Sequence, residues 1–136
     1  MKVKKALESA TLPVRAHETD AGLDLYAIED TTIKPLEVSK IRTGIAIELP
    51  KETVGLILDR SSMGAKNIKV MGGVIDEGYR GEIIVCLSNL NPYNYSIKSG
   101  EKIAQLLVIP IITASIEEVK ELSTTQRNDK GFGSTN

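Results

Sequence analysis

At 136 residues and 14.8 kDa the chain has the size of one globular domain, and its 41% hydrophobic and 26% charged residues exclude a disordered or membrane-embedded polypeptide. Seventeen basic against eighteen acidic side chains leave a formal charge of −1, with no basic excess to grip nucleic acid. One cysteine, Cys86, and one histidine, His17, exclude an internal disulfide and any Cys/His metal centre, so a metal here has to be a hard cation on oxygen ligands.

No apolar run approaches the roughly 20 residues that span a bilayer. The longest, Leu106 to Ile112, is interrupted by Pro110. Met1-Lys2-Val3-Lys4-Lys5 is followed by no apolar stretch of signal-peptide type, so the expectation is a soluble, cytoplasmic protein with no membrane partner. Val and Ile dominate the aliphatic residues, which favours strands. His17 is expected in a solvated loop, and Cys86 as a small hydrophobe.

The first expected strand, Leu23–Ala27, holds Asp24 within an apolar pattern; the acid is either on a solvent-facing position or a hard-metal ligand. Ile41, Thr43, Ile45, Ile47 and Leu49 then alternate with Arg42, Gly44, Ala46 and Glu48 in the clearest period-2 stretch, which Pro50 ends. The strand Val54–Leu58 runs into Asp59-Arg60-Ser61-Ser62-Met63-Gly64-Ala65-Lys66, where Ser61–Lys66 has room for a helical turn. Hydroxyls, backbone N–H groups and two cations suit a phosphate there, although an ordinary strand-end turn has the same composition. It is no Walker loop.

A strand at Ile68–Val70 leads to Gly72-Gly73-Val74-Ile75-Asp76-Glu77-Gly78-Tyr79-Arg80-Gly81. Gly72 and Gly73 strip side chains from the chain, which lets backbone approach a ligand and read the edge of a base, with Tyr79 against a sugar. The plainer alternative is a hairpin turn opened by Asp76, with Gly78 at positive φ. Strands follow at Glu82–Leu87, Tyr93–Lys98, Ile103–Ile109 and Ser115–Lys120, with a second possible helical turn at Ile116–Leu122. Many short strands between frequent turns read as an all-β sandwich or barrel.

Ile83–Leu87 and Ile103–Ile112 are apolar on both faces and need covering twice, either by a closed barrel with its loops or by another subunit. Gln105 lies within the second run and, if buried, must find partners. The terminal segment, residues 123–136, has almost nothing to bury and is expected to be mobile. Phe132, the only phenylalanine, sits there between Gly131 and Gly133. The segment is either an idle terminus or a lid whose Arg127 meets an anion while Phe132 stacks on a flat ligand. The chain therefore divides into a β domain, 1–122, and a terminal segment, 123–136, whose role as a lid is one of these two alternatives.

In order, Ala21 to Ala27, Arg60 to Lys66, Gly73 to Gly81, Gly100 to Leu106, and Arg127 with Gly131 to Thr135 resemble the five motifs of the trimeric dUTP pyrophosphatases, the dUTPases. The resemblance implies a jelly-roll-like β fold and a homotrimer with shared active sites. It implies Mg²⁺-dependent hydrolysis of dUTP to dUMP and pyrophosphate. On that resemblance, Asp76 orients and deprotonates the attacking water, and Asp24 holds Mg²⁺ through water. Arg60, Ser61, Ser62 and Gln105 bind the α- and β-phosphates, while backbone at Gly72, Gly73, Val74 and Ile75 reads uracil and Tyr79 packs on the deoxyribose. Arg127, Ser134 and Thr135 reach the outer phosphates, with Phe132 and Gly133 over the base. Three features depart from the family pattern: Asp59 for Pro or Gly, Ser62 for Gly in many members, and Asn128-Asp129-Lys130 in a usually Gly-rich stretch. The rivals are a dCTP deaminase or bifunctional deaminase, for which only Glu82 offers a proton shuttle, and a non-catalytic nucleotide-binding jelly roll.

Overall fold

The structure, a computed structural model, describes residues 1–125. Ten strands and one helical turn follow in order: β1 (Lys2–Lys5), β2 (Leu23–Tyr26), β3 (Thr31–Ile33), β4 (Val38–Glu48), β5 (Thr53–Leu58), α1 (Ser61–Gly64), β6 (Ile68–Val70), β7 (Val74–Ile75), β8 (Glu82–Asn89), β9 (Tyr95–Ile97) and β10 (Lys102–Pro110). One sheet runs β1-β4-β8-β6, a second β2-β10-β5-β7, and β3 pairs with β9. Every pairing is antiparallel. The strand spacing pointed to such an all-β fold, and it is the jelly roll that the resemblance implied.

Period-2 alternation in β4 sends Ile41, Thr43, Ile45 and Ile47 inward, where they meet Ile83, Val85 and Leu87 of β8 and Leu23, Leu25, Ile57, Ile103 and Leu106 of the second sheet in one core. Thr43 is tolerated there because its hydroxyl donates to the Ile83 carbonyl at 2.6 Å. β8 runs two residues further than expected because Asn89, fully buried, replaces apolar packing with bonds. Its Nδ2 donates to the carbonyls of Ile33 and Tyr93, and its Oδ1 accepts from Asn91 N–H.

Three short strands, β1, β3 and β7, were not expected. β1 is an edge strand rich in lysine, paired to the C-terminal half of β4, and lysine blunts such an edge. In the other direction, the expected strand at Ser115–Lys120 and helical turn at Ile116–Leu122 do not form. Residues 111–119 have no regular structure and are exposed, with Ile112 at 94% and Ile116 at 100% exposure. Their isoleucines find no sheet or core among the described residues to order them.

Among the described residues, the runs apolar on both faces are each covered once. Ile83, Val85 and Leu87 are buried, while Ile84 and Cys86 on the other face of β8 stay half-buried. In β10, Leu107 and Val108 are half-buried and Ile109 is exposed. Among the described residues no helix is long and apolar enough to cross a membrane.

Candidate active site

Three neighbouring strands assemble the main cluster. In register, Asp24 of β2 lies opposite Gln105 of β10, and Gln105 lies opposite Leu58 of β5. From Leu58 the chain passes through Asp59 and Arg60 into α1, whose Met63 is buried and anchors the turn. The sheet thus delivers Asp24, Gln105, Arg60 and Ser61 to one polar cleft of about 330 Å³, closed on its other side by Asp20, Ala21 and Gly22.

Asp24 is 9% exposed, so the solvent-facing alternative fails. Each of its oxygens holds a cation. Arg60 Nε donates to Oδ1 at 2.8 Å, and Lys102 Nζ lies 2.7 Å from Oδ2. The hydrogen bond and charge of Asp24 raise the Lys102 ammonium above the ordinary lysine value. A further Arg60 nitrogen reaches Ser62 Oγ at 3.3 Å. Gln105 Nε2 donates to the Asp59 carbonyl at 2.8 Å, which locks the carboxamide. Gly22 lies against it, and a Cβ there would stand 2.2 Å from Gln105 Oε1, so a side chain at 22 would push the carboxamide from this position. Asp20 accepts from His17 N–H, and that bond holds its carboxyl below the ordinary value.

Of the two cations noted after β5, Lys66 is directed elsewhere, donating to the Tyr95 hydroxyl at 3.4 Å. The second cation on Asp24 is Lys102, which the sequence reading missed. Strict alternation puts residues three apart on opposite faces of a strand. A register shift between Lys102 and Ala104 instead brings Lys102 to the side of Asp24.

Asp59 also has a structural answer. Its Oδ1 accepts from Val70 N–H at 2.6 Å and its Oδ2 pairs with Lys69, so the residue ties the end of β5 to β6 just before Arg60. No apolar residue or glycine could make those bonds.

A second, smaller hollow of about 170 Å³ is lined by Val74, Ile75, Asp76, Tyr79, Glu82 and Ile84. It shares no lining residue with the first. Asp76 is exposed and opens a turn closed by Tyr79 N–H to its carbonyl at 3.0 Å. The expected positive φ is not at Gly78; it falls at Gly72 (78°) and Gly73 (113°). The turn starts after β7, and these two glycines make the bend that lays β7 onto β5. Gly73 also admits close approach, since a Cβ on it would stand 2.6 Å from the Ile57 carbonyl. Glu77, likewise unexpected, pins the turn by accepting from Glu52 N–H at 2.7 Å. The Tyr79 hydroxyl donates to the Glu82 carbonyl, folding back over Gly81.

Ser62 lies beside the first cleft, bonded to Arg60. Arg127, Phe132, Gly133, Ser134 and Thr135 lie outside the described residues. Among the described residues no group of three or more His, Cys, Asp or Glu side chains is placed to hold a metal.

A jelly-roll domain that gathers a guanidinium, an ammonium, a serine hydroxyl and a carboxamide around one buried carboxylate has the chemistry to handle a phosphorylated ligand. Comparison with known proteins narrows that class. The family model described as dUTPase matches residues 8–136. The deoxyuridine 5'-triphosphate nucleotidohydrolase of Clostridium novyi is 48% identical, covering 98% of this chain and 96% of the relative. That of Trichodesmium erythraeum is 46% identical, covering 99% and 97%. Among solved structures, the Staphylococcus bacteriophage 80alpha dUTPase with dUPNHPP superposes with a TM-score of 0.94 at 31% identity, covering 99% of this chain and 97% of that one. The dUTPase of S. aureus phage phi11, in a mutant described for its coordination of a structural Mg(II) ion, gives a TM-score of 0.85 at 29% identity, over 90% and 98%. The chain belongs to the dUTPase family.

Proposed function

We propose that this protein hydrolyses dUTP to dUMP and pyrophosphate, keeping dUTP from DNA synthesis, and that it does so in the cytoplasm. The observation that carries the reading is the pairing of Asp24 with Arg60 and Lys102 beside Ser61 and Gln105, a cleft whose donors suit phosphate oxygens. Arg60, Ser61, Ser62 and Gln105 bind the α- and β-phosphates and stabilise charge as it develops. Asp76 takes a proton from water and aims it at the α-phosphorus. Backbone from Gly72 to Ile75 reads the uracil edge, and Tyr79 packs on the deoxyribose, leaving no room for a 2′-hydroxyl. Residues 123–136 act as a lid, with Arg127, Ser134 and Thr135 on the outer phosphates and Phe132 with Gly133 over the base.

The donor set around Asp24 fits Mg²⁺ only as a cation carried in by phosphates: both carboxylate oxygens are already paired, so Asp24 reaches it through water. Bound there, Mg²⁺ supplies charge neutralisation on the phosphate oxygens. The two hollows lie apart within one chain, and apolar surface is left open on β8, β10 and residues 111–122. Both features support a homotrimer that completes each site from neighbouring subunits.

Glu82 favours hydrolysis over deamination. Its Oε1 accepts from Gly44 N–H and its Oε2 pairs with Arg42. Burial raises this carboxyl, but the guanidinium and the backbone N–H outweigh it and hold it below the ordinary value. An acid fixed in that state is a poor proton shuttle. Release of pyrophosphate and ammonia from dUTP and dCTP, with Mg²⁺, tests the reading: pyrophosphate from dUTP without ammonia from dCTP supports it, and ammonia from dCTP overturns it.

A further inference from the structure

We propose that Lys102 is a positioning residue whose ammonium, seated on the second oxygen of Asp24, keeps that carboxylate from taking a divalent cation directly, so that the metal enters only with the nucleotide. The inference rests on the proposed function for the identity of the nucleotide, and on the geometry of the ligand-free chain for the rest.

Asp24 is the buried carboxylate of the phosphate cleft, its side chain 12% exposed. Its two oxygens are divided between two cations, at 2.8 Å to Arg60 and 2.7 Å to Lys102. The other carboxylate lining the cleft, Asp20, has its Oδ2 engaged by His17 N–H. Arg60 and Lys102 balance the two carboxylates, Asp24 and Asp20, and both oxygens of Asp24 are occupied, so the cleft offers a free divalent ion neither excess negative charge nor an open Asp24 oxygen. A triphosphate brings the negative charge that the cleft lacks, and its cation enters with it.

The two cations differ in role. Arg60 comes from the segment assigned to phosphate and has a second partner in Ser62. Lys102 is on β10, at the register shift, with its ammonium 6.0 Å from the Tyr26 ring centre. Its side chain is 38% exposed, so water can replace it without leaving a void in the core. Removing it frees one Asp24 oxygen to a metal while Arg60 still holds the other.

The test is Mn²⁺ binding to the nucleotide-free, full-length protein, followed by electron paramagnetic resonance. Wild type and K102R are expected to bind Mn²⁺ weakly and alike. K102M is expected to bind one Mn²⁺ per chain about tenfold or more tightly, the scale set by removing a unit charge about 5 Å from a divalent ion even at the dielectric constant of water. The gain must vanish in the double variant D24N/K102M. K102Q carries the same expectation should K102M fold poorly. No gain in either neutral variant, or a gain that survives loss of Asp24, overturns the proposal and leaves Lys102 a strand-edge ion pair. If wild type fails to hydrolyse dUTP, the proposed function falls, while the Mn²⁺ result still decides what Lys102 does to Asp24.

Discussion

Two carboxylates in this chain face opposite demands. Asp24 is buried and fully paired, whereas Asp76 is exposed at the head of a turn whose shape is fixed by its neighbours rather than by its own side chain. Glu77 bonds across to Glu52 N–H and the Arg80 guanidinium returns to the Glu77 carbonyl, so the turn does not depend on the Asp76 carboxylate, which the proposed mechanism uses as its base. Asp76→Asn should preserve the turn and remove the proposed base. Binding of a non-hydrolysable dUTP analogue should therefore persist while turnover falls about 10²–10⁴-fold. Calorimetric titration beside steady-state kinetics checks this, and turnover within a few-fold of wild type would reduce Asp76 to a turn residue.

At the scale of elements, legibility followed length and regularity. β4 was readable because eleven residues alternate and one face is buried. β5, β6, β8 and β10 were readable from apolar runs bounded by turns. β1, β3 and β7 span two to four residues each and take their pairing from longer neighbours, so no local pattern announces them. Asp24, Arg60 and Gln105 were legible as candidates, and the register then placed Asp24 opposite Gln105. Lys102 was hidden by the register shift in β10, and the partners of Asp59 and Glu77 by contacts that local sequence does not encode.

A similar irregularity in β4 carries a prediction. Gly44 takes φ 68° between the two stretches paired with β8, its N–H donating to Glu82 Oε1 at 2.8 Å while Arg42 holds Oε2. Because the folded-state value of Glu82 is lowered from 4.5, its contribution to stability is present above the unfolded value and is lost as pH falls through the folded one. Glu82→Gln should therefore melt below wild type at neutral pH, with the gap closing as pH drops below about 4.5. Thermal melts across that range check the sign; a gap that widens in acid would contradict it.

For the whole molecule, the described residues of one chain leave much apolar surface uncovered. Ile112, Ile116 and Leu122 are nearly fully exposed, and the outer faces of β8 and β10 are half-open. Obligate interfaces resemble a core cut in half, and these surfaces have that composition. Light scattering at micromolar concentration should give three times the 14.8 kDa chain mass. A monomer would remove the shared-site account.

The most direct measurement is hydrolysis of dUTP in ¹⁸O-labelled water, with both products analysed by mass spectrometry. Water aimed by Asp76 at the α-phosphorus places one labelled oxygen in dUMP and none in pyrophosphate. Label in pyrophosphate instead, or release of inorganic phosphate with dUDP, would contradict the proposed chemistry of this site.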